Sequence, residues 1–593
     1  MQQTVPPIQS IFQQAVKCHQ QGLLEQASKG YQHVLARQPK NFSALLYYGV
    51  LAGQLFNFKL AATLLARAAE VDPSKAAVHY NLALALRDCG DYRRSQESFE
   101  KAIAIEPDAI FYFDLCRMLQ GQKRYEEAVE KFDKAYLINP KLPYLDGYRQ
   151  YTKRSICDWR DSQAEVAALL TKLRDGDTIS PAFPLLLLTD CPELHQLNAK
   201  NLVADRHPSK QLDAPFHKPK PGGKLRIGYF SSDFRRHPMS YLLAEMFALH
   251  DRSRFELVAF AFSPTRDEVT QRVEACFDEC IDIRGMPDKA VAQLARRKGI
   301  DVAVDLNGHT DNSRPDIFAW RAAPVQVNYL GYPGTSGASY MDYILADRVI
   351  IPEQQQGFFT EKVAWLPDSY MPRDTALPVA KWSPNRAELG LPEKGFVYCC
   401  YNNAAKISPD TFAVWMNILR AVDDSVLWLM GYTPAAVDNL RAAAERAGVA
   451  AGRLVFADLL SQDKHLARYR VADLFLDCLP YNAHTTANDA LFMGVPVVTC
   501  SGQSFASKVA ASLLTTLEMS ELITHCWADY ERLAIKLAKD TTALQQIRDK
   551  LEHQRTASPL FDTGQFTRNV EAAFTHMVEQ QRAGQLCTSF SLS

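Results

Sequence analysis

The chain has 593 residues, 47% hydrophobic and 22% charged, which is ordinary globular usage and excludes a mainly disordered or collagen-like chain. With 66 Lys plus Arg and 67 Asp plus Glu the net charge is -1, which argues against a strongly basic nucleic-acid binder or a polyacidic chain. The 13 Cys contain no Cys-x-x-Cys pair and read as buried, reduced thiols.

The first ten residues carry neither a basic cluster nor an apolar run, so no leader is expected. One of the longest apolar runs, Ala44 to Ala52, is half the ~18 residues a membrane span needs. The expectation is a soluble, cytoplasmic protein with no membrane or nucleic-acid partner.

A repeat occupies the first 140 residues. Pro39, Pro73 and Pro107 are evenly spaced, and Pro140 follows one residue early. Five residues before each proline stand Val34, Ala68, Ala102 and Ala135, and eight before stand Tyr31, Leu65, Phe99 and Phe132. Twelve before come Ala27, Ala61, Ser95 and Ala128, and fifteen before come Leu24, Phe58, Tyr92 and Tyr125. Small residues let two antiparallel helices approach, the large ones fill the gap to the next repeat, and proline ends the second helix: a tetratricopeptide pattern. Ala76 to Asp108 is the clearest copy. Single copies cannot bury their apolar faces, so residues 8–141 should stack into an α-solenoid with a concave, peptide-binding surface. Residues 142–221 read as a helical linker, with helices in 162–176 and 181–207 and a Pro/Gly-rich end at His217 to Lys224.

Beyond Gly223, β-rich runs alternate with helical segments. The first set is 224–230, 256–263, 301–308 and 325–335; the second is 396–402, 426–430, 453–458, 474–478 and 495–500. Near-continuous apolar strands separated by helices predict parallel sheets covered on both faces. Two such sets predict two Rossmann-like lobes, 222–380 and 381–583, the second with a closing helix. Neither has a Gly-x-Gly-x-x-Gly or a Walker loop, which argues against a dinucleotide dehydrogenase and a P-loop NTPase.

Three stretches could carry chemistry. In 474–500 a buried strand leads through a Pro-Tyr-Asn turn to His484, Thr485 and Thr486 at a helix start. Free N–H groups and two hydroxyls there suit a phosphate, and Asp489 one turn inside suits ribose hydroxyls; a plain Thr cap is the alternative. In 399–415 a strand runs into Asn402 and Asn403, and Lys406 precedes a helix. That lysine either neutralises a diphosphate leaving group or is solvated. His465 and Arg468, three apart on one helix, either frame a base ring or are polar surface.

The stretches 226–242, 324–343, 401–409, 481–491, 504–514 and 558–562 together resemble the O-linked N-acetylglucosamine transferase family, including its SPINDLY-type branch. The resemblance covers nearly the whole chain and implies a GT-B catalytic region of two Rossmann-like lobes after the repeats. It implies an inverting transfer of N-acetylglucosamine from UDP-GlcNAc to Ser or Thr of proteins. The alternatives are GDP-fucose or UDP-glucose on the same fold, or a repeat scaffold with a degenerate transferase half. The His-Thr-Thr-x-x-Asp run is more like the N-acetylglucosaminyl branch, because the fucosyl branch tends to lack that His.

Residue by residue, the resemblance implies that Asn403 and Lys406 lie by the diphosphate, with Lys406 stabilising departing UDP. His465 and Arg468 would flank uracil; His484, Thr485 and Thr486 would hold phosphate and sugar, and Asp489 the ribose. His237 and Asp233 would face sugar and acceptor as catalytic candidates, and Leu330, Gly331 and Pro333 would line the sugar pocket. Three departures stand out. The linker stretch 180–186 has no His where animal members carry one. The helix positions that are Asn-rich in those members read Gln13, Tyr47, Asn81 and Asp114 here, and the long insert between lobes is missing. No cofactor and no metal are expected, since Lys406 and the helix start supply the positive charge a metal would bring.

Overall fold

The computed structural model describes residues 7–216 and 223–592, so residues 1–6, on which the expectation of no leader rests, and 217–222 of the Pro/Gly-rich linker end lie outside the described residues. The chain forms two compact units that divide between Thr152 and Lys153.

The first unit holds four helix pairs, from Ile8–Gln20 with Leu24–Arg37 to Ala109–Gly121 with Tyr125–Ile138. The second helix of each pair ends at Arg37, Val71, Ile105 or Ile138, two residues before its proline. The residues five, eight and twelve before each proline are all buried, as the small–large register requires. Asn41, Asn57, Asp91 and Asp108 cap helix starts by accepting a backbone N–H. Gly49 is small by necessity: a Cβ there would lie 2.6 Å from Leu65 Cγ. The Asn81 amide donates to the Ala77 carbonyl of its own helix at 2.7 Å, and Asp114 accepts from Tyr80 Oη at 2.6 Å. Tyr47 is exposed, with its ring edge-on to Phe12.

The second unit begins with linker helices Ser162–Arg174, Ala182–Leu185 and Pro192–Arg206. Two parallel sheets follow. The first contains β1 (Leu225–Ser231), β2 (Phe255–Ala261), β3 (Glu279–Asp282), β4 (Val302–Asp305), β5 (Val325–Asn328), β6 (Tyr343–Ala346) and β7 (Lys362–Trp365). The second contains β8 (Val397–Cys400), β9 (Val426–Met430), β10 (Leu454–Ala457), β11 (Leu474–Leu476), β12 (Val497–Cys500) and β13 (Ile523–Thr524). A short β14 (Phe590–Ser591) returns to pair with β7. Strand order is β14-β7-β6-β5-β4-β1-β2-β3 in one sheet and β10-β9-β8-β11-β12-β13 in the other.

Both orders reverse direction once, between β1 and β4 and between β8 and β11. Ligands of open parallel sheets bind at the carboxyl ends of strands flanking such a reversal. The expected run 325–335 is strand only at Val325–Asn328, and its remainder is a loop on that rim.

The helix Thr563–Arg582, contiguous in sequence with the second lobe, crosses back to the first. Its Glu571 bonds the buried His250 at 3.0 Å, its Thr563 bonds Glu245 at 2.8 Å, and its Gln580 accepts from Tyr343 at 2.8 Å. The linker also belongs to this unit: Asp190 accepts from Gln503 N, Ser504 N and Ser507 Oγ, pinning the loop after β12.

Candidate active site

The first reversal point carries the His237 stretch. After β1 the chain turns through Ser232 and Asp233 to His237, which starts the helix Pro238–Leu249. After β4, Asn307 reaches across: its Oδ1 accepts Ser232 N at 2.9 Å, and its Nδ2 donates to Ser232 Oγ and Asp233 Oδ2, each at 2.8 Å. The buried Asp305 accepts the N–H groups of Asn307 and Gly308 and so shapes this turn. Burial pushes its carboxyl up to about 6 against those bonds. Arg235 Nη2 lies 3.1 Å from the other Asp233 oxygen.

His237 Nδ1 accepts the Met239 N–H at 3.3 Å and lies 3.7 Å from Asp233 Oδ2. Burial lowers its basicity, with Asp233 opposing. The ring is therefore neutral near pH 7, and with Nδ1 accepting, its proton sits on Nε2.

Leu330, Gly331 and Pro333 follow β5 on the same rim. Leu330 adopts φ 65°, and a Cβ on Gly331 would come within 2.0 Å of the Leu306 carbonyl oxygen. Only glycine permits that backbone approach, which seats the loop against the turn holding Asn307.

The second reversal point carries the other stretches. Asn403 caps the turn Ala404–Lys406 by accepting Ala405 N–H at 2.9 Å. Lys406 Nζ donates to the Asn482 carbonyl at 2.8 Å and stands 3.9 Å from the Tyr481 ring centroid. Lys406 is half-buried, not a solvated surface lysine; burial pulls its pKa down to about 8, opposed by Cys478 and Asp477 nearby.

Asp477, just past β11, is a residue the sequence reading missed. Its carboxylate accepts from Cys478 N at 2.7 Å, Ala483 N at 2.5 Å and Thr499 Oγ1 at 2.7 Å. It thereby folds 478–483 into the loop that presents the Asn482 carbonyl. Burial pushes its carboxyl up to about 7. A strand-end aspartate before a Pro-Tyr-Asn turn was the available signal.

His484 precedes the helix Thr485–Phe492, and no side chain caps that helix start. The Thr-cap alternative therefore fails, and Thr486 Oγ1 instead donates to Asn402 Oδ1 at 2.5 Å. His484 stacks on Tyr481 at 4.6 Å and bonds the Ala506 carbonyl through Nε2 at 3.1 Å. Burial, then the Lys406 charge, holds the ring well below the usual imidazole range, so it is neutral with Nδ1 free to accept. Phe183 of the linker lies 5.8 Å from Tyr481, where the sequence has no His.

His465 and Arg468 are both buried, which removes the polar-surface alternative. Arg468 donates to the Asp458 carbonyl at 2.6 Å, bonds His465 Nδ1 and lies 4.5 Å over Tyr401. It supports the His465 ring from behind. Burial, then Arg468, pushes His465 down to about 3. Asp489 is ion-paired with Arg373, from the segment joining the lobes, which the sequence reading did not single out.

Tyr481 of the second rim is near enough to Tyr332 of the first to raise its phenol further, after burial. Among the described residues no group of three or more His, Cys, Asp or Glu is arranged to hold a metal, and no helix is long and apolar enough to cross a membrane.

Glycosyl transferase family 41 matches residues 206–379 and 375–570. The chain belongs to this family. A tetratricopeptide repeat matches 76–109, the copy read most clearly in the sequence. Among family relatives, the Arabidopsis thaliana probable UDP-N-acetylglucosamine–peptide N-acetylglucosaminyltransferase SEC is 32% identical over 463 residues, 73% of this chain and 47% of that protein. The Caenorhabditis elegans UDP-N-acetylglucosamine–peptide N-acetylglucosaminyltransferase is 28% identical over 564 residues, 72% of this chain and 48% of that protein. A Petunia hybrida protein named as probable SPINDLY is 35% identical over 374 residues, 60% of this chain and 39% of that protein. The chain spans about half the length of the curated relatives it matches, or less. A mutant O-GlcNAc transferase of Thermobaculum terrenum superposes with a TM-score of 0.62 at 28% identity, covering 97% of this chain and 98% of that one.

Proposed function

We propose that the chain is an inverting glycosyltransferase that moves N-acetylglucosamine from UDP-GlcNAc to Ser or Thr hydroxyls of proteins. The observation that carries this reading is Lys406, held by the Asn482 carbonyl and the Tyr481 face beside the uncapped helix start at Thr485. A diphosphate leaving group gains one further negative charge as the sugar bond breaks; a fixed ammonium and aligned N–H groups meet it without reorganisation. This charge supply is what a metal would otherwise provide, and no metal is needed in the proposed reaction.

In that reaction the acceptor oxygen attacks the sugar C1 from the face opposite UDP, the C1–O bond to the diphosphate breaks with its electron pair going to UDP, and the proton of the acceptor hydroxyl passes to solvent. Asn403 fixes the turn that carries Lys406; Thr485 adds its hydroxyl and Thr486 its backbone N–H; His465 lies against the base and Asp489 accepts from the ribose. Leu330, Gly331 and Pro333 wall the sugar from the opposite rim. His237, whose Nε2 carries the proton, donates to a sugar or acceptor oxygen; the Met239 N–H holds its ring, and Asp233 beside it opposes its loss of basicity. The named activities of the relatives and the family match support the same donor. The repeats take protein acceptors in extended form; of the positions Gln13, Tyr47, Asn81 and Asp114, the first two are left to meet them, since Asn81 donates to Ala77 and Asp114 accepts from Tyr80.

The test is a panel of UDP-GlcNAc, UDP-glucose and GDP-fucose with purified protein, following binding, hydrolysis and transfer to protein. UDP-GlcNAc is expected to be used in preference; tight GDP binding with none of UDP overturns the donor.

A further inference from the structure

Arg373 lies in the segment between β7 and β8, 1% exposed, and the Asp489 carboxylate that it bonds is 3% exposed. Two more of its donors, Nε and Nη2, find no acceptor among the described residues, so its one ion pair there is with Asp489. Its guanidinium also lies 4.3 Å over the Phe492 ring, at the end of the helix that Asp489 belongs to. Its backbone carbonyl is held by Thr563 Oγ1 at 2.6 Å, and the preceding carbonyl, of Pro372, accepts Asn488 Nδ2 at 3.3 Å. Arg373 is thus fixed at the backbone from the closing helix and from the helix it serves, while its charge is spent on one carboxylate. A buried charge with a single partner confines that partner's orientation, because any rotation of the carboxylate leaves both charges unpaired.

We propose that Arg373 is the positioning residue that makes the donor site select ribonucleotides, by holding Asp489 with one oxygen turned to the ribose hydroxyls. This rests on the reading of Asp489 as the ribose acceptor and deepens it. The groups that act on Asp489 are Arg373 from the joining segment and Gln462 within the His465 helix, while Asp489 in turn raises the nearby Tyr469 phenol; His465 stands near Arg373 and is neutral. Burial raises the Asp489 carboxyl and Arg373 opposes that rise. Removing the guanidinium therefore raises it further.

The experiment measures binding of UDP, 2′-deoxy-UDP and 3′-deoxy-UDP by calorimetry to the full chain and to Asp489→Asn, Arg373→Met and Arg373→Lys. The unsubstituted protein should prefer UDP to at least one deoxy analogue by roughly 10–100-fold, the range of a hydrogen bond to a charged acceptor. Asp489→Asn and Arg373→Met should each bring that preference to within about twofold, while Arg373→Lys keeps part of it at pH 8. The preference should also fade as pH falls through Asp489 protonation, with the midpoint moved to higher pH in Arg373→Met. A folded Arg373→Met that keeps the full preference, beside an Asp489→Asn that loses it, overturns the proposal and leaves the ribose reading intact. An Asp489→Asn that keeps the preference overturns the ribose reading itself. Where Arg373→Met does not fold, an Arg373→Lys that keeps the full preference overturns the proposal.

Discussion

The Nζ of Lys406 lies 3.9 Å from the centroid of the Tyr481 ring and 2.8 Å from the Asn482 carbonyl oxygen. One ammonium is thus held by a π face and a backbone dipole, and its charge, weakened by burial and supported by Cys478 and Asp477, stays available to a diphosphate.

Lys406→Ala should lower transfer by ~10²–10³, the usual cost of losing one preorganised stabiliser of developing charge. The charged form is present below its pKa of about 8 and lost above it, so kcat/KM for the donor should fall as pH rises past that value. A profile that stays flat through pH 10 would remove Lys406 from the reaction.

Stability should carry the signature of Asp477. Its folded pKa of about 7 lies above its ordinary 3.8, so the folded state holds the proton more tightly than the unfolded chain. Stability contributed by the protonated form is complete below 3.8 and is lost as pH rises through about 7. Asp477→Asn keeps an oxygen for Ala483 N–H and should flatten that dependence in thermal melts. Asp477→Ala leaves buried N–H groups unpaired, at ~1–3 kcal/mol each, and should also weaken UDP binding by freeing Asn482.

His237 separates two roles by substitution. With Nδ1 accepting from Met239, the ring can donate through Nε2. His237→Gln retains an amide donor and should keep more activity than His237→Ala. Equal and complete loss in both variants, with an acid limb in the unsubstituted profile, would favour a base instead.

Chelation gives a direct reading of the charge supply. Exhaustive treatment with EDTA should leave the initial rate of donor hydrolysis unchanged; a loss restored by one divalent ion would refute a metal-free mechanism.

For the repeats, a chain starting at Lys141, checked first for folding, should keep donor hydrolysis and lose transfer to proteins. Transfer equal to that of the full chain would end the delivery role. Asn81 already spends its amide on Ala77, so Asn81→Ala should change protein transfer by less than about twofold.

The repeat register was legible because each of its rules is local. A small residue twelve before a proline, a large one eight before and a stop at the proline are all set by neighbours along one helix pair, and Ala61, Leu65 and Pro73 occupy those places in the fold. Long apolar strands such as Val426–Met430 announce themselves for the same reason. Glu279–Asp282 does not, because an edge strand half open to water needs no apolar run; Ile523–Thr524 and Phe590–Ser591 are too short to show any period.

Which strands become neighbours was decided by tertiary structure alone. β1 lies beside β4 and β8 beside β11 through crossovers that no local pattern encodes, and those adjacencies bring Asn307 to Asp233 and Asn482 to Lys406. The burial of Arg468 behind His465 and the pairing of Arg373 with Asp489, 116 residues apart, have the same origin. Sequence determined the residue types able to carry charge and hydrogen bonds; long-range packing chose which of them meet, because desolvated charges persist only where the fold delivers a partner.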